Sequence, residues 1–149
     1  MAVSVAEFLD KVGKLKRTQE KVDALRANDS YVLRVVLQAI YDPNVKFALP
    51  EGEPPFKPNE LVDQEHVLIH DARYITYFIE SLSPDISTMK RESMFIEFLE
   101  RLDPRDAKLL LQMKEKKPVK GITVQHVVEA LPNIIPGIEP KQQLEEQNV

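Results

Sequence analysis

The chain of 149 residues has the length of one ordinary domain, and its 43% apolar and 30% charged residues are those of a globular protein with no apolar run long enough to cross a bilayer. It contains no cysteine, which excludes disulfides, thiolate nucleophiles and Cys-based zinc sites. A formal charge of −4 argues against a protein that coats nucleic acid by net charge alone.

Val5, Phe8, Leu9, Val12 and Leu15 recur at three- and four-residue steps, which predicts a first helix from about Val3 to Leu15. Its opening, Met1–Asp10, lacks the basic-then-apolar pattern of a secretory signal, so the expected compartment is the cytoplasm. Thr18 is expected to cap a second helix whose buried side is Val22 and Leu25. Asn28, Asp29 and Ser30 break that helix and cap a third, Tyr31 to Tyr41, which is apolar on nearly every side and so is expected to be the central one. Asp42-Pro43-Asn44 ends it.

Five prolines and Gly52 lie between Pro43 and Pro58, forbidding a regular helix and predicting a long extended loop over 43–60. Beyond it, Leu68, Ala72, Ile75, Ile79 and Leu82 read as the stripe of a fourth helix up to Ser83-Pro84. Met94, Phe95, Phe98, Leu99 and Leu102 mark a fifth. Asp103 caps a sixth with Pro104 in its first turn, and that helix carries Ala107, Leu110 and Leu111 before ending at Lys114–Pro118. Gly121 breaks the chain, Thr123 can cap, and Val124, Val127, Val128 and Leu131 form a last short helix. The expectation is an all-α fold: one domain of about seven helices over residues 1–137, followed by a flexible acidic tail over 138–149.

Catalytic signatures are missing. The four glycines are too scattered for a phosphate loop, and there is no Gly-x-Ser-x-Gly elbow. His66 and His70 stand one helical turn apart but have no third ligand nearby, so neither a metal nor another cofactor is expected. His126 is expected to pack or to face solvent.

Charge is segregated along the chain. Lys11, Lys14, Lys16, Arg17 and Lys21 face only Glu20 in their segment, and Arg105, Lys108, Lys114, Lys116, Lys117 and Lys120 face only Asp106 and Glu115 in theirs. Lys114, Lys116, Lys117 and Lys120 lead into a helix start at Gly121 and Thr123, where free N–H groups and the dipole suit a phosphate. The same lysines also suit a solvated helix end that complements the dipole of the preceding helix. The Pro-rich stretch Leu49–Asn59 holds Phe56 among Pro54, Pro55 and Pro58, which fits either a partner-binding arm or a wrapped loop with Phe56 plugging the core.

Two stretches, Lys16-Arg-Thr-Gln-Glu-Lys and Asn28-Asp-Ser-Tyr-Val-Leu-Arg-Val-Val-Leu-Gln-Ala-Ile-Tyr41, are followed by Ile96-Glu-Phe-Leu, Ala107–Met113 and Gly121–Pro136. In that order they resemble the N-terminal DNA-binding domain of phage-type ATP-dependent DNA ligases, over most of residues 14–136. The Leu-Pro-Glu-Gly-x-Pro-Pro loop followed by Pro-Asn is similar to small proteins of tailed phages, which implies a phage origin and no activity. The ligase resemblance implies an all-helical domain that grips duplex DNA by its sugar–phosphate backbone with little sequence preference. The matching positions for backbone contacts are Lys117, Lys120, Gly121 and Thr123, and the basic segment adds Lys14, Lys16 and Arg17. The ligases' Lys-x-Asp-Gly nucleophile motif is absent, so the chain cannot ligate. The expected function is non-enzymatic binding of double-stranded DNA, and the alternative is a protein-interaction module that docks through the Pro-rich arm.

Overall fold

A computed structural model describes residues 3–140. The Ser4 hydroxyl accepts from Glu7 N at 3.1 Å and starts α1 (Val5–Gly13), which buries Val5, Leu9 and Val12. Helix α2 (Thr18–Ala27) buries Val22 and Leu25 as their spacing predicts. Its cap differs from the expectation: Arg17 is the cap residue, makes no side-chain capping bond, and Thr18 already lies in the first turn. Ser30 caps α3 (Tyr31–Tyr41), of which six residues are buried, making it the central helix.

The fourth helix is a correction. Residues Val67–Asp71 form a five-residue α4, the chain then tightens into a 3-10 segment over Ala72–Phe78, and Ile79 is extended. A 3-10 helix has three residues per turn, so Ala72, Ile75 and Phe78 share its buried side in place of the wider stripe. Phe78 gains the centre of an aromatic cluster, with its ring 5.1 Å from Phe95 edge-on and 6.2 Å from Phe98. Beyond it, Phe47 and Ile79 form an isolated antiparallel bridge, in which Ala48 N donates to Phe78 O and Glu80 N to Lys46 O, both at 2.7 Å. Leu82, expected on the stripe, is 60% exposed.

Ser87 caps α5 (Thr88–Arg101), and the Asp103 carboxylate accepts from Arg105 N to cap α6 (Pro104–Glu115), with Pro104 in its first turn. Lys116 ends α6 in the left-handed conformation, and Thr123 caps α7 (Val124–Ala130). The seven α-helices make an all-α fold with no strand among the described residues. Helices α1, α3 and α5 lie against α6, and α2 lies against α7, around one continuous apolar core.

The Pro-rich loop runs extended across this core, with Val45, Phe47, Leu49 and Phe56 half-buried on it. Part of the expected tail is likewise docked, since Ile138 packs on the core and Pro140 is buried. The rest of that tail, 141–149, lies outside the described residues. No helix of the described residues is long and apolar enough to cross a membrane.

Candidate nucleic-acid interface

Gly13 closes α1 and Gly121 sits in the α6–α7 turn, and the two backbones touch. A Cβ on Gly13 would fall inside the contact distance of the Lys120 carbonyl, and one on Gly121, whose φ is +83°, would strike the Gly13 carbonyl. Only glycine at both positions allows this crossing. Its consequence is that the two basic segments, about a hundred residues apart in the chain, become neighbours: Lys14, Lys16 and Arg17 follow Gly13, while Lys117 and Lys120 precede Gly121.

The turn that carries Lys117 and Lys120 is held from four sides. The Tyr41 hydroxyl donates to Ile122 O at 2.6 Å and accepts from Val119 N at 3.0 Å. Burial raises the Tyr41 pKa, and the Val119 bond partly offsets this. Gln112 Nε2 donates to both Lys117 O and Pro118 O at 3.0 Å. Lys21 Nζ donates to Gly121 O at 2.6 Å, tying α2 to the same turn. Lys116 holds the fourth side from beneath.

The expected cations divide into two groups. Lys16, Lys117 and Lys120 are exposed, Lys14 is exposed while paired to Asp10 at 2.9 Å, and Arg17 is exposed with Glu20 at 3.9 Å. Lys114 and Lys116 are not on this face, which corrects the expectation for both. The Lys114 ammonium is nearly buried and donates to Gly52 O at 2.8 Å beside Glu115 at 3.1 Å. The Lys116 ammonium donates to Ala39 O at 2.6 Å and Val45 O at 2.7 Å. It therefore satisfies a carbonyl of the last turn of α3, which has no helical partner. Burial holds the Lys116 pKa below the usual lysine range, opposed by the nearby Asp42 charge.

The helix start at Gly121 and Thr123 is also already used. Thr123 Oγ1 accepts from His126 N at 3.3 Å, His126 Nδ1 accepts from Thr123 N at 3.0 Å, and the Gly121 carbonyl accepts from Lys21. This closed capping box takes up the Thr123 and His126 N–H groups, and α7 is only seven residues long, so the helix start is a weaker phosphate site than the sequence suggests. His126 thus neither faces solvent nor merely packs. Burial and the Lys21 charge lower its pKa, keeping Nδ1 a neutral acceptor. Its signal in the sequence was the Thr-x-x-His spacing, the position that Glu or Gln holds in the usual box.

Elsewhere, His66 and His70 are exposed, and no group of three or more metal-ligating side chains occurs among the described residues. The Pro-rich arm is docked: Lys57 N donates to the Glu100 carboxylate at 2.8 Å, and Asn59 Nδ2 donates to Arg101 O at 2.9 Å. Phe56 and Pro54 are half-buried, with Pro55 and Pro58 exposed around them.

Residues 8–120 match the model of a family of unknown function, DUF6433, and the chain belongs to that family. The matched span contains both basic segments and both backbones of the crossing up to Lys120. No curated protein and no solved structure matches the chain.

Proposed function

We propose that this member of the family is a non-enzymatic, double-stranded DNA-binding domain that grips the sugar–phosphate backbone with little sequence preference, as an accessory factor in phage DNA metabolism. One observation carries the reading. The Gly13–Gly121 crossing brings the link that carries Lys14, Lys16 and Arg17 beside the turn that carries Lys117 and Lys120, which is braced by Tyr41, Gln112 and Lys21. A rigid cluster of exposed cations suits phosphates at fixed spacing, and phosphate contacts alone convey no sequence preference. Large exposed aromatic side chains, which would favour unpaired bases, are Tyr31, Tyr74 and Tyr77, none of them in either basic segment.

The test is a salt titration of binding to a short duplex. Five phosphate contacts should cost roughly a hundredfold to a thousandfold in affinity between 50 and 200 mM salt. Changing Lys117 and Lys120 to Glu should weaken binding to all duplex sequences alike. Failure of the wild-type chain to shift any duplex at low ionic strength overturns the reading.

A further inference from the structure

A groove of about 740 Å³ opens between α1 and α6, directly beside the basic turn. Four cations and three carboxylates line it, and their pairing is uneven. Asp10 is taken by Lys14 at 2.9 Å and Glu115 by Lys114 at 3.1 Å. The Arg105 guanidinium is held by Glu7 at 3.0 Å and by Asp103 at 3.1 Å. Among the described residues, Lys108, Lys117 and Lys120 have no side-chain hydrogen bond or ion pair at their ammonium groups, although Lys117 exerts a weaker, longer-range pull on Glu115. Glu53, on the arm side, is the one groove carboxylate without a cation in contact among the described residues. Three uncommitted cations therefore face one uncommitted acid, and the imbalance sits in a concave site with apolar patches from Leu9 and Val119.

We infer that this groove seats one strand of the bound duplex's backbone, with Lys108 as a phosphate contact that extends the basic face along α6 and Glu53 as an opposing charge that limits affinity. The inference rests on the reading given under Proposed function. Lys120 links the two regions, because it lines the groove while its carbonyl abuts Gly13. Lys108 and Glu53 line both this groove and the smaller one beneath Pro54 and Phe56, so the acidic tip of the arm meets the far end of the cation track. A phosphate strand entering from Lys16 and passing Lys120 and Lys117 would reach Lys108 last, next to Glu53.

The experiment is fluorescence anisotropy of a short labelled duplex over a salt series, using the full chain and variants with unchanged circular dichroism. Lys108→Gln should weaken binding roughly fivefold to tenfold near 0.1 M salt and flatten the salt slope by about one. Glu53→Gln should strengthen it, while Lys90→Gln, an exposed cation on α5, should leave it unchanged. If Lys108→Gln behaves like Lys90→Gln while Lys16→Gln and Lys117→Gln still weaken binding, the groove is not the seat, and the basic-face reading stands. If the wild-type chain binds no duplex, both readings fall together. Displacement of the duplex by inorganic tripolyphosphate at matched ionic strength, at concentrations where sulfate has no effect, would make the groove a site for free polyphosphate and overturn the inference.

Discussion

Asp106, on α6, accepts a hydrogen bond from Ala6 N at 2.8 Å, so a carboxylate that is fully buried stands at the first turn of α1. Its second oxygen makes no hydrogen bond among the described residues. Burial pushes its pKa up to about 6, the neighbouring Asp103 charge adds to the rise, and the amide N–H groups of Ala6 and Val5 together with Arg105 oppose it. The raised value means that the fold favours the protonated acid. The stabilisation is fully present below the unfolded carboxyl's pKa, near 4, and is lost as pH rises through about 6. Asp106→Asn keeps an acceptor for Ala6 and removes the charge. Urea melts at pH 5 and pH 8 should therefore show Asn gaining on wild type at the higher pH, by on the order of 1–3 kcal/mol. An equal difference between the two proteins at both pH values would refute the assignment.

Lys116 separates structural lysines from those proposed to bind. Because its ammonium lies between the carbonyls of Ala39 and Val45, Lys116→Met should cost about 1–3 kcal/mol of stability by leaving both acceptors buried and unpaired. Duplex affinity of the folded variant should fall much less than its stability does, whereas Lys120→Gln should lower affinity and leave stability unchanged. A loss of affinity in Lys116→Met with no loss of stability would place this lysine back on the binding face.

What was legible in the sequence follows from which interactions are local. Ser30, Asp103 and Thr123 act on N–H groups two or three residues ahead, so their roles could be read from spacing. The stripe through Leu68 and Ile75 misled beyond Ala72 because a distant segment decided its outcome: Phe47 pairs with Ile79 and draws the chain out of helical register. The basic segments could be counted, but the direction of each lysine could not. Lys116 turns inward only because its backbone takes the left-handed conformation, at φ +57°, beneath the end of α3. Gly13 and Gly121 looked unrelated, since their closeness is a property of the packed helices and of neither neighbourhood in the chain. Lys108 could be counted in its basic segment, but nothing in the sequence set it apart as lining a groove, since it is one lysine on the exposed side of an amphipathic helix.

The crossing itself can be tested by comparing glycines. Gly121→Ala and Gly52→Ala both force alanine into a positive φ, at +83° and +91°, but only the first adds a Cβ against another backbone. Gly52→Ala should cost about 1 kcal/mol, the strain of the backbone conformation alone. Gly121→Ala should cost roughly 2–4 kcal/mol, because neither carbonyl chain can yield as a flexible side chain would. Gly13→Ala, with no positive φ, isolates the contact and should still be clearly destabilising by chemical denaturation. If it melts like wild type, the two basic segments are not held together by this approach.

Whether the Pro-rich arm is a free lure or part of the wall is decided by Phe56. Its ring is half-buried on the core, and the segment that follows it is tied to α5 through Lys57 N and Asn59 Nδ2. Phe56→Ser should therefore destabilise the domain by about 1–2 kcal/mol, since it removes part of a packed aromatic and leaves space that the stiff neighbouring prolines cannot close. Pro55→Ser, at an exposed position one residue away, should change stability by no more than about 0.5 kcal/mol. Limited proteolysis supplies the second readout: cleavage within 49–62 should accelerate in Phe56→Ser and stay slow in Pro55→Ser. Rapid cleavage of the wild-type arm, with Phe56→Ser as stable as the parent, would mean that the ring does not anchor the loop and that the segment is available to a partner.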